Sequence, residues 1–245
     1  MTLRRDLLHR KGLNCVGSPM GFASFRTTVR RHGLALATLR SAVGVARRLI
    51  DFETCHLVRS SDAPYAWPDI VDYETRIVYS TEFHSALCDE LATVDYRWAF
   101  ARGDTCVASF RGAELVGYTF YSALPTRVRD GIEFAFPSTY VYSFAAATAP
   151  SHRGHRLEPE RWKVARRHRN AMGADPPAIG YVNVANLESL AANKASSPPS
   201  TFLGYIAYAK VNGRFRFFAS RGARTVGAEF RAPGSVNVLP DPRSV

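Results

Sequence analysis

The hydrophobic positions along the chain follow helical spacing in its first part. From about residue 24 to residue 50 the apolar residues recur at helical spacing, with arginines on the opposite face. This amphipathic helix could lie on a membrane surface or pack against the body of the protein. A strand is predicted at 53–59, a loop at 62–69 and, after a Ser/Thr start, a short helix at 80–91.

Beyond residue 100 the alternation of apolar and polar residues predicts mainly strands. The predicted order is a hairpin at 104–110 and 115–123, a loop at 124–137, a strand at 138–148, a basic loop, a helix, a strand at 178–184, a helix at 186–195 and a hairpin at 202–220. Asn186 is a suitable cap for its helix, and Asn212-Gly213 is typical of a type I′ turn.

This order of elements predicts an α/β protein with a mixed sheet. The segment 138–184 contains a strand, a helix and a second strand, so we expect a parallel, right-handed crossover. A ligand would then bind at the carboxyl ends of these two strands.

Length and composition are those of an ordinary soluble protein. The chain has 245 residues, of which 46% are hydrophobic and 22% charged, and no apolar run approaches the roughly 20 residues of a membrane span. We expect a basic N-terminal extension at 1–51, one domain at 52–235 and a tail at 236–245. The four cysteines (Cys15, Cys55, Cys88, Cys106) show no metal-ligand spacing, which predicts buried thiols, no metal and a cytoplasmic location.

The positive charge is concentrated near the N terminus. The chain carries a net charge of +11, and residues 1–50 contain ten Lys or Arg against Asp6 alone, a balance of +9. Such asymmetry suits an anionic partner, namely nucleic acid, lipid headgroups or an acidic protein. The pattern is also compatible with a solvated arginine-rich extension or with a transit peptide.

The stretch "TAPSHRGHRLEPERWKVA" (148–165) predicts the end of a strand, a tight basic loop and a helix. Such a junction suits phosphate groups, because loop N–H groups and the positive end of the helix dipole both attract anions. Gly154 is its only glycine, and Arg156 and Glu158 stand where small residues would be expected. The run 158–160 is also a good helix start in its own right.

Three stretches resemble the GNAT acyltransferase superfamily, whose members transfer an acyl group from coenzyme A to an amine or similar nucleophile. They are "GDTCVASFRGAELVGY", similar to the family's hairpin, "FAAATAPSHRGHRL", similar to its donor strand and pyrophosphate loop, and "YVNVANLESLAANK", similar to its next strand and Asn-led helix. The resemblance covers roughly residues 52–220. It implies a mostly antiparallel sheet with flanking helices, in which two parallel strands splay apart to admit the pantetheine arm.

The resemblance also implies acetyl-CoA or another acyl-CoA as co-substrate. The implied donor-binding residues are Ala147, Thr148, Arg153, Gly154, His155, Arg156, Leu157, Glu158 and Asn186. The family loop has the pattern (Gln/Arg)-x-x-Gly-x-(Gly/Ala), in which Arg153 fits the first position, whereas Arg156 and Glu158 replace the two small residues.

The acid and base positions implied by the resemblance depart from the family's pattern. The family often has a carboxylate on the donor strand; here Tyr142 lies in that region, where it could hold a water, although a neutral phenol is a weak base. An aromatic strand face is the favoured interpretation of Tyr142, and Glu133 is the nearest carboxylate, in the predicted loop. The family's general acid is often a Tyr where this chain has Asn193, which could hydrogen-bond the sulfur or the pantetheine.

Three functions are compatible with these residues, and the resemblance favours the first. It is an enzyme that moves an acyl group, most simply acetyl, from acyl-CoA to an amine-type acceptor, either a small molecule or a peptide. The second takes a long-chain acyl group from acyl carrier protein, whose acidic surface would suit this basic chain. The third is a non-catalytic GNAT-like binding module. A nucleic-acid binder is not favoured, because the sequence has no aromatic-interleaved basic stretch.

Overall fold

The computed structural model describes residues 29–30, 33–34, 37–38, 41–42, 51–60, 70–91, 95–173, 176–195 and 199–234. The strands are β1 (Phe52–Arg59), β2 (Glu74–Val78), β3 (Thr105–Arg111), β4 (Glu114–Ser122), β5 (Thr126–Arg129), β6 (Ile132–Ala135), β7 (Val141–Thr148), β8 (Ala178–Asn183), β9 (Thr201–Val211), β10 (Arg214–Ala219) and β11 (Glu229–Arg231). The helices are α1 (Ser80–Ala86), α2 (Arg97–Ala101), α3 (Leu157–Ala171), α4 (Leu187–Ala195) and α5 (Arg221–Thr225).

Eight strands form one mixed sheet in the order β10-β9-β1-β8-β7-β4-β3-β2. The pair β7–β8 is parallel, and the other neighbouring pairs are antiparallel. A second sheet has the order β11-β6-β5. The predicted fold class, a mostly antiparallel α/β sheet with one parallel pair and flanking helices, is therefore confirmed.

Most of the predicted strands and helices are present, but one predicted loop is not. The hairpins, the two parallel strands and the helices after them lie where the hydrophobic pattern placed them. The prediction of a loop at 124–137 is wrong, because β5 and β6 form a hairpin there that pairs with β11. Its strands are too short for their alternation of apolar and polar residues to be recognised. The strand that pairs with β6, β11, follows almost a hundred residues later in the chain.

The amphipathic helix predicted at 24–50 is described in part. Positions 29–30, 34, 37–38 and 41–42 are helical, and Ala37 is fully buried whereas Leu34 is 64% exposed. None of the helices in the described part of the chain has the length and apolar composition of a membrane crossing. Residues 1–20, the predicted loop at 62–69 and the tail at 236–245 lie outside the described residues.

The main sheet is covered on both faces. Helix α3 packs on one face against β2, β3, β4 and β7, where Ala165 joins Val107 and Val141 in a buried apolar cluster. The other face carries a larger aromatic core. Phe83 of α1 contacts Phe120 there, and Phe134 of β6 contacts Tyr142. We call this second side the aromatic face.

A buried arginine joins α3 to the sheet. Arg161 is 1% exposed and donates hydrogen bonds to the hydroxyl groups of Thr119 (2.9 Å), Ser109 (3.4 Å) and Thr148 (3.1 Å). Gly117 makes room for it, since a Cβ there would lie 2.6 Å from Nη1 of Arg161. Burial lowers the pKa of Arg161, and the nearby negative charge of Glu158 opposes this shift.

Candidate functional site

The two parallel strands separate shortly after they meet. Strands β7 and β8 pair at Val141–Ala178 and Tyr142–Ile179, with no further paired positions between their described residues. The strands are still close at the next position, where a Cβ on Gly180 would lie 3.3 Å from the carbonyl oxygen of Ser143. A gap therefore opens between the strands toward their carboxyl ends, at the edge where the sequence predicted a ligand.

Strand β7 carries an extra residue beside this gap. Phe144 pairs with Phe120 of β4, but Ala147 pairs with Tyr118, so three steps on β7 match two on β4. Ala145 takes up the irregularity in a left-handed conformation with φ 52°. A bulge of this kind leaves backbone groups outside the strand ladder, and the alanine run contributes only small side chains here.

The basic loop after β7 ends in a helix start without a side-chain cap. A short 3-10 turn spans Pro150–His152, and two left-handed residues follow, Gly154 (φ 87°) and Arg156 (φ 59°). Helix α3 then begins at Leu157, and its N terminus has no side-chain cap hydrogen bond. The first backbone N–H groups of a helix have no partners within the helix, and an N terminus of this kind attracts anions.

Two residues from distant segments hold the loop in place. Glu90 accepts hydrogen bonds from the backbone N–H of Ser151 (3.2 Å) and from its hydroxyl group. Tyr73 is hydrogen-bonded to Nδ1 of His152 at 3.0 Å, and its ring lies 5.3 Å from that of His155. No local sequence signal indicates these contacts, because they join segments 60 to 80 residues apart.

The predicted donor-binding residues occupy different positions around the gap. Arg153, Gly154, His155, Arg156 and Glu158 are exposed, whereas Leu157 is buried under the loop. Thr148 faces inward, accepts a hydrogen bond from Arg161 and, through its carbonyl oxygen, one from Nε of Arg153 at 3.4 Å. Asn186 follows β8 and caps α4 as predicted, with its Oδ1 3.1 Å from the N–H of Ser189.

Two carboxylates lie at the start of α3. Glu160 forms an ion pair with Lys163 at 2.8 Å. Glu158 is exposed at the loop, and its negative charge opposes the lowering of the pKa of the buried Arg161. Glu160 is therefore paired within the helix, whereas the charge of Glu158 remains at the loop.

Tyr142 lies within the aromatic face rather than at its surface. It is 4% exposed, and its ring stacks on those of Phe144 (5.3 Å) and Tyr181 (5.8 Å). Burial raises its pKa, although a hydrogen bond with Tyr181 works in the opposite direction. A phenol in this state remains protonated at neutral pH, so a role for Tyr142 as a general base stays a prediction with little support from its surroundings.

The other two catalytic candidates are engaged in structural contacts. Glu133 does not lie in a loop, as the sequence predicted, but on β6, where it accepts a hydrogen bond from Nε of Arg231 at 2.6 Å. Asn193 donates from Nδ2 to the carbonyl oxygen of Ser189 (2.9 Å) and accepts at Oδ1 from the hydroxyl of Ser200 (2.9 Å). Their catalytic roles stay predictions.

A polar cluster beside the carboxyl end of β8 was not predicted from the sequence. Glu53 accepts hydrogen bonds from Nδ2 of Asn183 (2.7 Å) and from the hydroxyl group of Tyr208 (2.8 Å). Nη1 of Arg129 donates to the hydroxyl group of Tyr208 at 2.9 Å and also binds Asp51 at 2.7 Å. We call these five residues the Glu53 cluster. The sequence predicted the strand that carries Glu53 but gave no partner for it.

The thiol side chains are consistent with packing roles. Cys55, Cys88 and Cys106 are buried thiols, as predicted, while Cys15 lies outside the described residues. Burial raises the pKa values of Cys88 and Cys106, which makes these thiols poor nucleophiles. Among the described residues no three His, Cys, Asp or Glu side chains are grouped as a metal site requires.

Comparison with known proteins gives distant structural matches. No protein-family model matches the sequence, and no curated protein matches it. One similar solved structure is a functionally unknown conserved protein from Staphylococcus epidermidis ATCC 12228, with 10% identity and a TM-score of 0.37 over 68% of this chain and 64% of that one. Another is a tandem GNAT protein from the clavulanic acid biosynthesis pathway, with 14% identity and a TM-score of 0.36 over 69% of this chain and 57% of that one.

This chain therefore spans less than two thirds of the length of either structure. Matches with such low TM-scores assign no activity to the chain. A function has to be supported by the geometry around the gap between β7 and β8.

Proposed function

We propose that the protein is an acyltransferase that takes an acyl group from acyl-CoA and transfers it to an amine. The observation that supports this most is the gap between β7 and β8, which pair at two positions and then separate. An extended pantetheine arm fits between two such strands, because their backbone groups are no longer used in pairing with each other. Acyl transfer in such a cleft depends chiefly on holding the thioester and the amine together.

The loop after β7 would hold the diphosphate of the donor. The uncapped N terminus of α3 provides N–H groups and a positive dipole end, which attract anions. Arg153 and Arg156 are exposed beside it and add two guanidinium groups. Arg156 adopts a left-handed conformation in the turn that leads into α3. Most residue types avoid this conformation, and glycine adopts it most easily.

The bulge in β7 would act on the thioester. Backbone N–H groups outside the ladder can donate to the carbonyl oxygen of the acyl group, where negative charge develops during attack. The irregularity at Ala145 lies within the separated part of the strand, four residues after the first β7–β8 pair. This position would leave the acyl group inside the gap and the diphosphate at the loop.

A thermal-shift titration with free CoA tests the donor site. Ligand that binds the folded state raises the melting temperature, and Arg153→Ala and Gly154→Pro should each reduce that rise. Proline cannot adopt φ 87°, because its ring fixes φ near −65°. Glu158→Gln should increase the rise, since it removes a negative charge beside the bound diphosphate. Arg167→Ala, an exposed position further along α3, is the matched control and should change nothing.

The outcomes also separate two donors. A donor bound by its diphosphate requires that free CoA stabilise the protein. If CoA has no effect while acyl carrier protein binds in a strongly salt-dependent way, the acyl group comes from the carrier protein instead. The exposed Glu158 at the loop is the observation that favours this second donor. If neither donor binds, the proposal of acyl transfer is wrong.

A further inference from the structure

We infer that Glu53 binds the ammonium group of the acceptor and takes up one of its protons, so that the acceptor is a positively charged aliphatic amine. This inference rests on the acyltransferase function proposed above. Strand β7 has no carboxylate that could accept this proton. The proton-accepting carboxylate lies instead on β1, a strand outside the predicted donor site.

The position of Glu53 follows from the pairing of β1 with β8. Cys55 is paired with Asn183, the last residue of β8, and the N–H of Val184 donates to the carbonyl oxygen of Thr54 at 3.1 Å. Glu53 therefore lies at the carboxyl end of β8, at the edge where the gap opens. Alternate residues of a strand share a face, which places Glu53 with Cys55 on the aromatic face.

The carboxylate of Glu53 is oriented by its neighbours, which include the thiol of Cys55 at 3.7 Å from Oε1. Asn183 at the end of β8 and Tyr208 on β9 each donate a hydrogen bond to it, at 2.7 and 2.8 Å, to different oxygens. The residue remains partly exposed. A carboxylate with its orientation fixed in this way can contact a ligand without first reorganising.

The surroundings of Glu53 suit a cation. Burial raises the pKa of Tyr208, and the nearby charge of Glu53 raises it further. The same charge contributes to the raised pKa values of Tyr142 and Tyr181, so these three rings stay neutral. Aromatic faces and a carboxylate both attract an ammonium group. Arg129 does not counteract this strongly, because its charge is paired with Asp51 at 2.7 and 3.0 Å.

The step balances in atoms and charge. The carboxylate of Glu53 takes one proton from the ammonium group, and the neutral amine then attacks the thioester carbonyl carbon. A carbon–nitrogen bond forms, the carbon–sulfur bond breaks, and the departing thiolate receives the second proton lost by the nitrogen. The proton held by Glu53 leaves to water, and the products are the amide and free CoA.

Two acceptors of similar size and different charge test this assignment. Tyramine carries an ammonium group near neutral pH, whereas the amine of p-anisidine is already neutral. With acetyl-CoA as donor, Glu53→Gln should lower kcat/KM for tyramine by about 100-fold or more, the usual scale of lost acid–base catalysis. The loss for p-anisidine should be much smaller. Glu114→Gln, at an exposed carboxylate in the β3–β4 hairpin, is the control and should leave both reactions unchanged.

Donor binding separates this inference from the proposed function. The thermal shift produced by CoA should be the same in wild type and Glu53→Gln, because Glu53 does not touch the diphosphate loop. Equal losses with both amines, no loss with tyramine, or acylation of p-anisidine alone by the wild type would overturn the role of Glu53. A wild-type protein that binds CoA but acylates neither amine would overturn it as well. If CoA fails to bind the wild type, the proposed function itself fails.

Discussion

The two halves of the main sheet are built in different ways. In one half, β3, β4 and β7 follow β2 in chain order and lie under α3. In the other half, β1, the first strand in chain order, lies between β8 and β9. Among the described residues, strand pairing between the halves consists of two residue pairs between β7 and β8. The proposed donor loop belongs to the first half and the Glu53 cluster mainly to the second. The candidate site therefore lies between a half whose strands are close in sequence and a half in which β1 pairs with strands far away in sequence.

The two halves also differ in burial, and the first half is the more deeply buried one. Every residue of β4 from Leu115 to Ser122 is buried, because helices and aromatic side chains cover it on both faces. The second half leaves Phe202, Tyr205 and Phe218 exposed by 50%, 45% and 58%. We therefore expect surface substitutions in the first half to change the free energy of unfolding little. The stability of the second half should depend on β1.

Removal of β1 should have the largest effect. A chain that begins at residue 61 loses the strand that pairs with both β8 and β9, together with the fully buried Cys55 and Leu57. The expected loss is comparable to the whole stability of a domain, about 5–15 kcal/mol, so chemical denaturation should no longer show a cooperative transition. A chain that begins at residue 51 serves as the comparison, because it lacks the same preceding segment but keeps β1, and it should still unfold cooperatively. Cooperative unfolding without β1 would show that the second half does not need it.

The first half could be predicted from the sequence more fully than the second half. The pattern around Gly154 and the strands before and after it identified the parallel pair, because crossover units are made of neighbouring segments. The alternation at 53–59 identified β1 as a strand but not its place in the sheet. Its partners lie more than a hundred residues away, and alternation specifies a face without specifying a neighbour. The Glu53 cluster was missed for that reason.

The buried arginine was missed for a different reason. Arg161 lies in a strongly charged helix, "LEPERWKVARRHRNA", in which several arginines resemble one another. Only the packed structure shows that Arg161 faces the sheet and that Gly117 leaves space for its guanidinium group. The separation of β7 from β8 also depends on packing, so the sequence could indicate a loop for phosphate but not the width of the gap beside it.

Replacement of Arg161 tests the first half and should have the second-largest effect. Arg161→Ala leaves a cavity and removes the donor to the hydroxyl groups of Thr119, Ser109 and Thr148. Replacing a large buried side chain by Ala usually costs about 2–5 kcal/mol, and hydroxyl groups left without their donor add to this cost; urea denaturation would measure the loss. Arg167→Ala, exposed on the same helix, should stay within about 0.5 kcal/mol of wild type. Equal effects of the two changes would mean that α3 is not fixed to the sheet through Arg161.

The smallest expected effect concerns pH and the surface of the second half. His56 on β1 lies next to the rings of Phe202 (5.1 Å) and Tyr205 (4.9 Å). Burial, and to a lesser degree the charge of Lys194, lowers its pKa below the ordinary value of 6.5. Between the lowered folded value and 6.5 the unfolded chain binds more protons than the folded one, so stability rises with pH in this window. His56 therefore destabilises the fold as pH falls below 6.5.

Comparison of wild type with His56→Gln isolates this contribution from those of the other titrating groups. The free energy of unfolding, measured from about pH 7.5 to about pH 5.5, should fall less steeply for the variant. Lys194→Gln should raise the pKa of His56 in an NMR titration, because it removes the neighbouring positive charge. Identical pH slopes for wild type and His56→Gln would mean that the ring is equally solvated in both states. The second half would then be open to water around β1, and the contrast between the two halves would be larger than the structure indicates.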